Sequence, residues 1–155
     1  MSVVPSSTHV VESSVVSSSI DTVWGLISNG SFKWWDIVLG TTLKSGNSPL
    51  ELGANIEVKF KDGQSWLIHL LEISSVSKSI TFEVVACEPP VAVTSILHSI
   101  SLKKVTSSNA TYIEWSTDFS NDATSEVVQD SSFKKLEAFA KFPVEESSSK
   151  RQRVD

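Results

Sequence analysis

The sequence has 155 residues, of which 40% are hydrophobic and 20% are charged, and it carries a formal net charge of −5 at pH 7. This length and composition match one soluble domain with a single core, and no apolar run approaches the ~20 residues needed to span a bilayer. The acidic balance disfavours a nucleic-acid partner, because binding a phosphate backbone requires clustered basic side chains.

The first elements in chain order are a predicted strand and a predicted helix. Residues 9–17 are rich in β-branched types and predict the strand. Ser18 is a suitable cap for the helix that follows. At ~100° per residue the apolar side chains of this helix share one face, namely Ile20, Val23, Trp24, Leu26 and Ile27. Asn29 and Gly30 end it, and the aromatic segment 32–37 predicts a second short helix.

Six further strands are predicted from alternating and β-branched segments, near 38–45, 54–60, 65–74, 78–87, 91–105 and 110–119. Asp62 and Gly63 lie between two of them and form a strong hairpin signal. Pro89 and Pro90 interrupt the chain at another connection, since proline cannot continue a central ladder. The connections are too short for parallel crossovers, so we predict an antiparallel meander.

The last predicted element is a helix near 122–142 that ends at Pro143. One stripe of this helix is expected to lie on the sheet, and it consists of Val128, Ser132, Phe133, Leu136, Phe139 and Ala140. Residues 1–8 and 143–155 lack such patterning. We therefore predict a flexible N-terminus, a single domain over 9–142 and a disordered tail.

This order of elements resembles the START-related superfamily, which includes polyketide cyclase-like proteins and the birch pollen allergen family. The segment 18–28 resembles the opening helix of that superfamily, 32–35 resembles its tryptophan-bearing segment, and 112–119 resembles a late strand. The resemblance implies an α+β helix-grip fold, with a curved antiparallel sheet of about seven strands wrapped on a long C-terminal helix and two short helices after the first strand. It also implies a cavity suited to an apolar ligand. No catalytic residue of the superfamily is carried over to this sequence.

His98 is the main candidate for chemistry in this cavity. Alternation along its strand places six side chains on one face, namely Ala92, Thr94, Ile96, His98, Ile100 and Leu102. The serines of the same segment mark the outer face. A neutral imidazole pointing inward is able to hydrogen-bond a ligand or act as an acid or base. The alternative is a core histidine bonded to a neighbouring group.

The strand near 65–74 is apolar on both faces. His69 shares one face with Leu67, Leu71 and Ile73, and the other face consists of Trp66, Ile68 and Leu70. Either the sheet is covered on both sides here or the outer face meets a partner, which predicts a weak homodimer through the strand containing Trp66. His69 itself is either a packed or rim residue or a ligand contact.

Two further aromatic positions are candidates for the cavity. Trp34 and Trp35 are adjacent, so a short helix cannot bury both in one direction and one is expected at the cavity mouth or in solvent. Trp115 shares a face with Ile113, Thr117 and Phe119 that is expected to point toward the cavity.

Three functions remain open from the sequence. The first is binding or carriage of a lipid, isoprenoid or aromatic polyketide-like compound, with a ligand-binding set of Trp34, Trp35, Phe60, His69, His98, Trp115, Phe133, Leu136 and Phe139. The second is a cyclase, dehydratase or isomerase that uses His98 as its catalytic acid or base. The third is a protein-interaction module like a chaperone regulator, suggested by the Trp34-Trp35 pair.

Location and cofactors are constrained by what the sequence lacks. Residues 1–8 lack the basic start and apolar stretch of a secretory signal, so we expect a cytoplasmic protein. Lys150, Arg151 and Arg153 resemble a minimal nuclear import signal. Cys87 is the single cysteine, and no Cys and His cluster has the spacing of a zinc site. We therefore expect neither a metal nor a cofactor.

Overall fold

The computed structural model of the chain describes residues 8–49, 51–90 and 95–143. Seven strands form one antiparallel sheet in the order β1-β7-β6-β5-β4-β3-β2. The elements are β1 (His9–Val16), α1 (Ile20–Ile27), β2 (Val38–Ser45), β3 (Asn55–Phe60), β4 (Ser65–Ser74), β5 (Ser79–Glu88), β6 (Ile96–Val105), β7 (Ala110–Phe119) and α2 (Ser125–Ala140). The predicted α+β class, the curved antiparallel sheet and the long C-terminal helix are confirmed.

Several predictions concern residues outside the described part of the chain. These are the start of the fifth meander strand at 91–94, with Ala92 and Thr94, and most of both predicted flexible ends, including the basic cluster at 150–153. Within the described ranges, neither helix is long and apolar enough to cross a membrane.

The hairpin between β3 and β4 follows from its turn residues. Gly63 has a φ of 93°, a backbone angle that residues with a Cβ rarely adopt. The Asp62 carboxylate accepts a hydrogen bond from the backbone N–H of Gln64 at 3.0 Å. Lys59 then pairs with Ser65 across the two strands. The predicted Asp-Gly hairpin is thereby confirmed.

The segment between α1 and β2 consists of turns in place of a second short helix. Ser19 caps α1, one residue later than predicted, and its hydroxyl accepts from the Thr22 N–H at 3.4 Å. After the helix, the Trp35 N–H donates to the Phe32 carbonyl at 3.1 Å, and the Val38 N–H donates to the Trp35 carbonyl at 3.0 Å. Single turns of this kind carry the aromatic side chains under the sheet.

The core lies between the inner face of the sheet and the two helices. Alternate side chains of the strands are buried there, among them Ile56, Val58, Ile68, Leu70, Ile80, Phe82, Ile96, His98, Ile100 and Leu102. The inward direction predicted for His98 is confirmed. From the other side, α1 contributes Val23 and Ile27, and α2 contributes Ala138 and Phe139.

The orientation predicted for α2 is wrong at two residues. Phe133 is 63% exposed and Leu136 is 48% exposed, so neither side chain lies on the sheet. The buried stripe instead includes Lys135 and Ala138. Small side chains on the packed face let the helix backbone approach the sheet closely. The Ser132 hydroxyl also donates to the Glu12 carboxylate of β1 at 2.5 Å.

The two faces of β4 are also settled by the structure. Trp66 points inward and contacts the rings of Phe60 and His98. His69 lies on the opposite, outer face, where its Nδ1 is 2.9 Å from the Asn55 side-chain oxygen. The prediction that His69 lines the cavity is therefore wrong. A homodimer through this strand would use outer side chains such as Leu71, which is 43% exposed.

Candidate functional site

A cavity of about 310 Å³ lies between the first half of α2 and the inner face of the sheet. Its volume is at the lower end of the range for small-molecule sites. The sheet side is mainly apolar and aromatic, and it consists of Trp35, Gln64, Trp66, Ile96, His98, Trp115 and Phe119. The helix side is mainly polar, and it consists of Thr124, Glu126, Val127, Asp130, Ser131, Lys134 and Lys135. Such a cavity fits an apolar molecule that carries one polar group.

His98 is held between aromatic rings in the wall of this cavity. Its imidazole stacks on Trp66 at 5.3 Å and on Phe82 at 5.1 Å between ring centroids. The indole N–H of Trp115 donates to His98 Nδ1 at 3.1 Å. Thr117 Oγ1 lies 2.9 Å from the same nitrogen. These contacts follow from the strand register, in which His98 is paired with Thr117.

The Trp115 contact determines which nitrogen of His98 carries the proton. An indole N–H only donates, so Nδ1 is an acceptor and the neutral ring carries its hydrogen on Nε2. Burial, followed by the charge of Lys135, lowers the pKa of His98 well below its usual value of 6.5. His98 therefore presents a neutral N–H donor at Nε2.

This donor has no partner in the part of the chain that the structure describes. Nε2 is buried, and none of the described polar groups lies within hydrogen-bonding distance. Leaving a buried donor unpaired costs about 1–3 kcal/mol. An acceptor oxygen on a ligand would remove that cost.

Lys135 is the second buried basic group of the cavity. Its side chain is 1% exposed, and Nζ donates to Ser131 Oγ at 2.6 Å. Nζ also lies 4.9 Å from the centroid of the Trp115 ring. Burial lowers the pKa of Lys135 from 10.5 to about 7, and the charge of Glu12 acts in the opposite direction. Both basic groups thus border the same indole ring.

The structure brings only part of the predicted ligand set together. Trp35, His98 and Trp115 line the cavity. Phe60 packs behind Trp35 at 5.3 Å between ring centroids. Phe139 is buried and meets the edge of Trp115 at 6.3 Å. Phe60 and Phe139 therefore support the cavity wall without forming it.

The expectation that Trp34 or Trp35 lies at the mouth or in solvent is wrong. Each side chain is 3% exposed, and the two rings stack at 5.9 Å with an interplanar angle of 13°. Trp34 also meets the edge of Trp115 at 5.3 Å, and Trp35 meets it at 5.0 Å. A turn, unlike a helix, allows neighbouring side chains to be buried together.

Lys135 is absent from the ligand-binding set predicted from the sequence. Its signal lies in the spacing of Val127, Ser131, Lys135, Ala138 and Phe142, which recur at intervals of three or four residues. Four small or apolar residues in this stripe indicate that the lysine among them is buried. The larger Phe133 and Leu136 concealed this stripe, because they suggest a different apolar face.

Metal chemistry has no evident ligands here. Among the described residues, no group of three or more His, Cys, Asp or Glu side chains is arranged to hold an ion. Cys87 is half-buried, and burial raises the pKa of its thiol, which disfavours the reactive thiolate.

Comparison with known proteins identifies the architecture. No protein-family model matches the sequence, and no curated protein matches it. A protein from Nitrosospira multiformis superimposes with a TM-score of 0.76 at 22% identity, covering 86% of this chain and 92% of that chain. Major latex-like protein 151 from Panax ginseng gives 0.66 at 20% identity, covering 86% and 90%.

A START superfamily protein from Mycobacterium smegmatis has the same TM-score of 0.66 at 12% identity, covering 86% of this chain and 92% of that chain. Similarity at these identities concerns the fold. The resemblance to the START-related helix-grip fold is confirmed.

Proposed function

We propose that this chain, whose fold is that of START-related proteins, binds a small apolar compound with an oxygen acceptor in the cavity between α2 and the sheet. The observation that supports this proposal is the buried Nε2–H of His98, which lacks a partner in the described chain and belongs to a side chain of the cavity wall. The surrounding indole rings supply the apolar surface. A carbonyl, ether or hydroxyl oxygen on the ligand accepts the hydrogen bond.

The same geometry favours binding over acid-base catalysis by His98. Nδ1 already accepts from Trp115 and lies next to the Thr117 hydroxyl, so it is unavailable as a base. Protonating it would also place two N–H groups against each other. A neutral imidazole that keeps its Nε2 proton is a hydrogen-bond donor and only a very weak acid.

The interaction-module hypothesis loses one of its two supports. The Trp34-Trp35 pair does not offer an exposed tryptophan, because both side chains are buried, and only the likeness to chaperone regulators is left. The exposed aromatic side chain on α2 is instead Phe133, which lies outside the cavity.

A pair of ligands with the same shape tests the binding proposal. 2-Acetylnaphthalene carries a carbonyl oxygen, and 2-ethylnaphthalene has a similar outline without an acceptor. We expect the natural chain to bind the ketone about 5- to 10-fold more tightly, which corresponds to one net hydrogen bond of about 1–1.5 kcal/mol. Quenching of tryptophan fluorescence measures both dissociation constants, because the indoles line the cavity.

Two histidine variants identify the donor. In His98→Asn, the side-chain oxygen still accepts from Trp115 while the Nε2 donor is lost, so the preference for the ketone should disappear. His69→Phe is the matched control, because that ring lies on the outer face of the sheet, and it should keep the preference. Equal affinity for both naphthalenes in the natural chain, or an unchanged preference in His98→Asn, contradicts the proposed role of His98.

A further inference from the structure

Lys135 is a buried amine that the proposed hydrogen bond to His98 leaves unused. It lies in the cavity wall with 1% of its surface exposed. Its partner is the Ser131 hydroxyl at 2.6 Å, and no ion pair holds it within the described chain. A neutral amine donates one hydrogen to Ser131 and keeps its lone pair, so this contact is compatible with attack on an electrophile.

We propose that the Lys135 amine forms a reversible imine with an apolar aldehyde or ketone held in this cavity, an inference that rests on the proposed ligand binding. Nζ attacks the carbonyl carbon, and a proton moves from nitrogen to the former carbonyl oxygen to give a carbinolamine. Loss of that oxygen as water forms the C=N bond. The sum is one amine and one carbonyl converted to one imine and one water, with no change of oxidation state.

Three features of the site support this chemistry. Lys135 lies 4.9 Å from the centre of the Trp115 ring, beside the surface on which an apolar ligand would pack. His98 also contacts this ring, with ring centroids 5.9 Å apart, and its Nε2–H is able to polarise a carbonyl oxygen. The third feature is the volume of the cavity, about 310 Å³, which is at the lower end of the range for small-molecule sites and limits the reacting carbonyl compound to a small molecule.

The ionisation of Lys135 agrees with a nucleophilic role. Burial lowers its pKa to about 7. At neutral pH about half of the Lys135 side chains are then unprotonated, compared with fewer than about one in a thousand for an ordinary lysine. Lys134 provides the contrast on the same helix, because its ammonium is partly exposed and pairs with Asp130 at 3.0 Å.

Reductive trapping tests the inference. The full chain is incubated with 2-naphthaldehyde at pH 7, sodium cyanoborohydride is added to fix any imine, and peptide mass mapping locates the naphthylmethyl group. We expect at least 10-fold more modification at Lys135 than at Lys134 in the same sample. An excess of 2-ethylnaphthalene, which occupies the cavity without reacting, should suppress the modification at Lys135 alone.

The lysine variants and the binding of 2-acetylnaphthalene distinguish a failure of the imine proposal from a failure of the proposed function. Lys135→Met should lose the selective adduct, and Lys134→Met should keep it. Adducts spread evenly over exposed lysines, or an adduct at Lys135 that 2-ethylnaphthalene does not suppress, overturn the imine proposal. If 2-acetylnaphthalene binds and no adduct forms at Lys135, only the imine is refuted. If neither naphthalene binds, the proposed function itself has failed.

Discussion

Two basic side chains, His98 and Lys135, are both buried against Trp115, and burial drives both toward their neutral forms. For His98 the pKa falls because the charged ring would lose solvent and would face the charge of Lys135. For Lys135 it falls to about 7 because the ammonium loses solvent. Burial therefore disfavours a charge on the nitrogen atoms of both side chains.

The lowered pKa of Lys135 predicts that stability depends on pH above neutrality. Between about pH 7 and 10.5 the unfolded chain keeps the proton on this lysine and the folded chain releases it. Stability rises with pH wherever the unfolded state binds more protons, with a slope of up to about 1.4 kcal/mol per pH unit. The full cost of burying the ammonium is present below about pH 7, the pKa of Lys135 in the folded chain. This cost disappears as the pH approaches 10.5, the ordinary pKa of the side chain.

Urea denaturation of the natural chain and of Lys135→Met at pH 7, 8 and 9 measures this effect. The variant should be more stable by about 1–4 kcal/mol at pH 7, because an apolar side chain replaces a poorly compensated buried charge. Its advantage should shrink as pH rises. Lys134→Met is the control and should show a constant difference from the natural chain.

The charged and titratable groups near Lys135 do not reverse this sign. They are Glu12 on β1, His98 on β6, and Asp130 and Lys134 on α2 itself. Only the charge of Glu12 is a resolved opposing influence on Lys135. An advantage of Lys135→Met that stays constant from pH 7 to 9 would show that this lysine is charged in the folded chain.

The direction of a side chain can be predicted from the sequence where it depends only on the alternation of residues along a strand. His98 is predicted to point inward because Ile96, Ile100 and Leu102, which lie on the same face of the strand, are apolar. The same alternation does not predict the hydrogen bonds of the ring, because these depend on the register between β6 and β7. The two side chains in contact with Nδ1, Trp115 and Thr117, lie 17 and 19 residues away along the chain.

At the level of elements, α2 shows how an apolar pattern can mislead. Several faces of this helix carry an apolar residue, so periodicity alone does not select the one that packs. The packed face is the one whose Lys135 and Phe139 side chains contact the indole of Trp115. Phe133 and Leu136 are left exposed.

Two identical substitutions on α2 test its orientation. Phe139→Ala should lower the free energy of unfolding by about 3–5 kcal/mol, because it leaves a cavity beside Trp115. Phe133→Ala should change it by less than about 1 kcal/mol, since surface substitutions have small effects. Urea denaturation at pH 7 measures both. Similar losses of stability in the two variants would show that α2 packs with the apolar face predicted from the sequence, which includes both Phe133 and Phe139.

For the whole molecule, the sequence predicts most of the order of the strands in the sheet, but it does not predict the pairing of β1 with β7. Short connections with turn residues such as Asp62-Gly63 lead each strand from β3 to β7 beside its predecessor. The pairing of β1 with β7 joins residues about as far apart in sequence as the domain allows, such as Val10 and Thr117. Nothing local in the sequence specifies that contact.

This long-range pairing brings β1 into the sheet, where Glu12 accepts a hydrogen bond from Ser132 of α2, so a ligand in the cavity should stabilise the domain as a unit. A compound that binds only the folded state at a free concentration of 100 times its dissociation constant raises the free energy of unfolding by about 2.7 kcal/mol. We expect this increase with 2-acetylnaphthalene in urea denaturation. Tryptophan fluorescence should report the shift from the cavity wall, and far-ultraviolet circular dichroism should report it from the sheet.

The two signals should move together, because β1, β7 and α2 contribute to one core and the cavity lies within it. 2-Ethylnaphthalene at the same concentration is the control, and it should give a smaller shift because it lacks the oxygen that accepts from His98. A shift in fluorescence without one in circular dichroism would mean that the ligand stabilises only a local region. The cavity would then not be coupled to the folding of the sheet, which would contradict the single core shared by β1, β7 and α2.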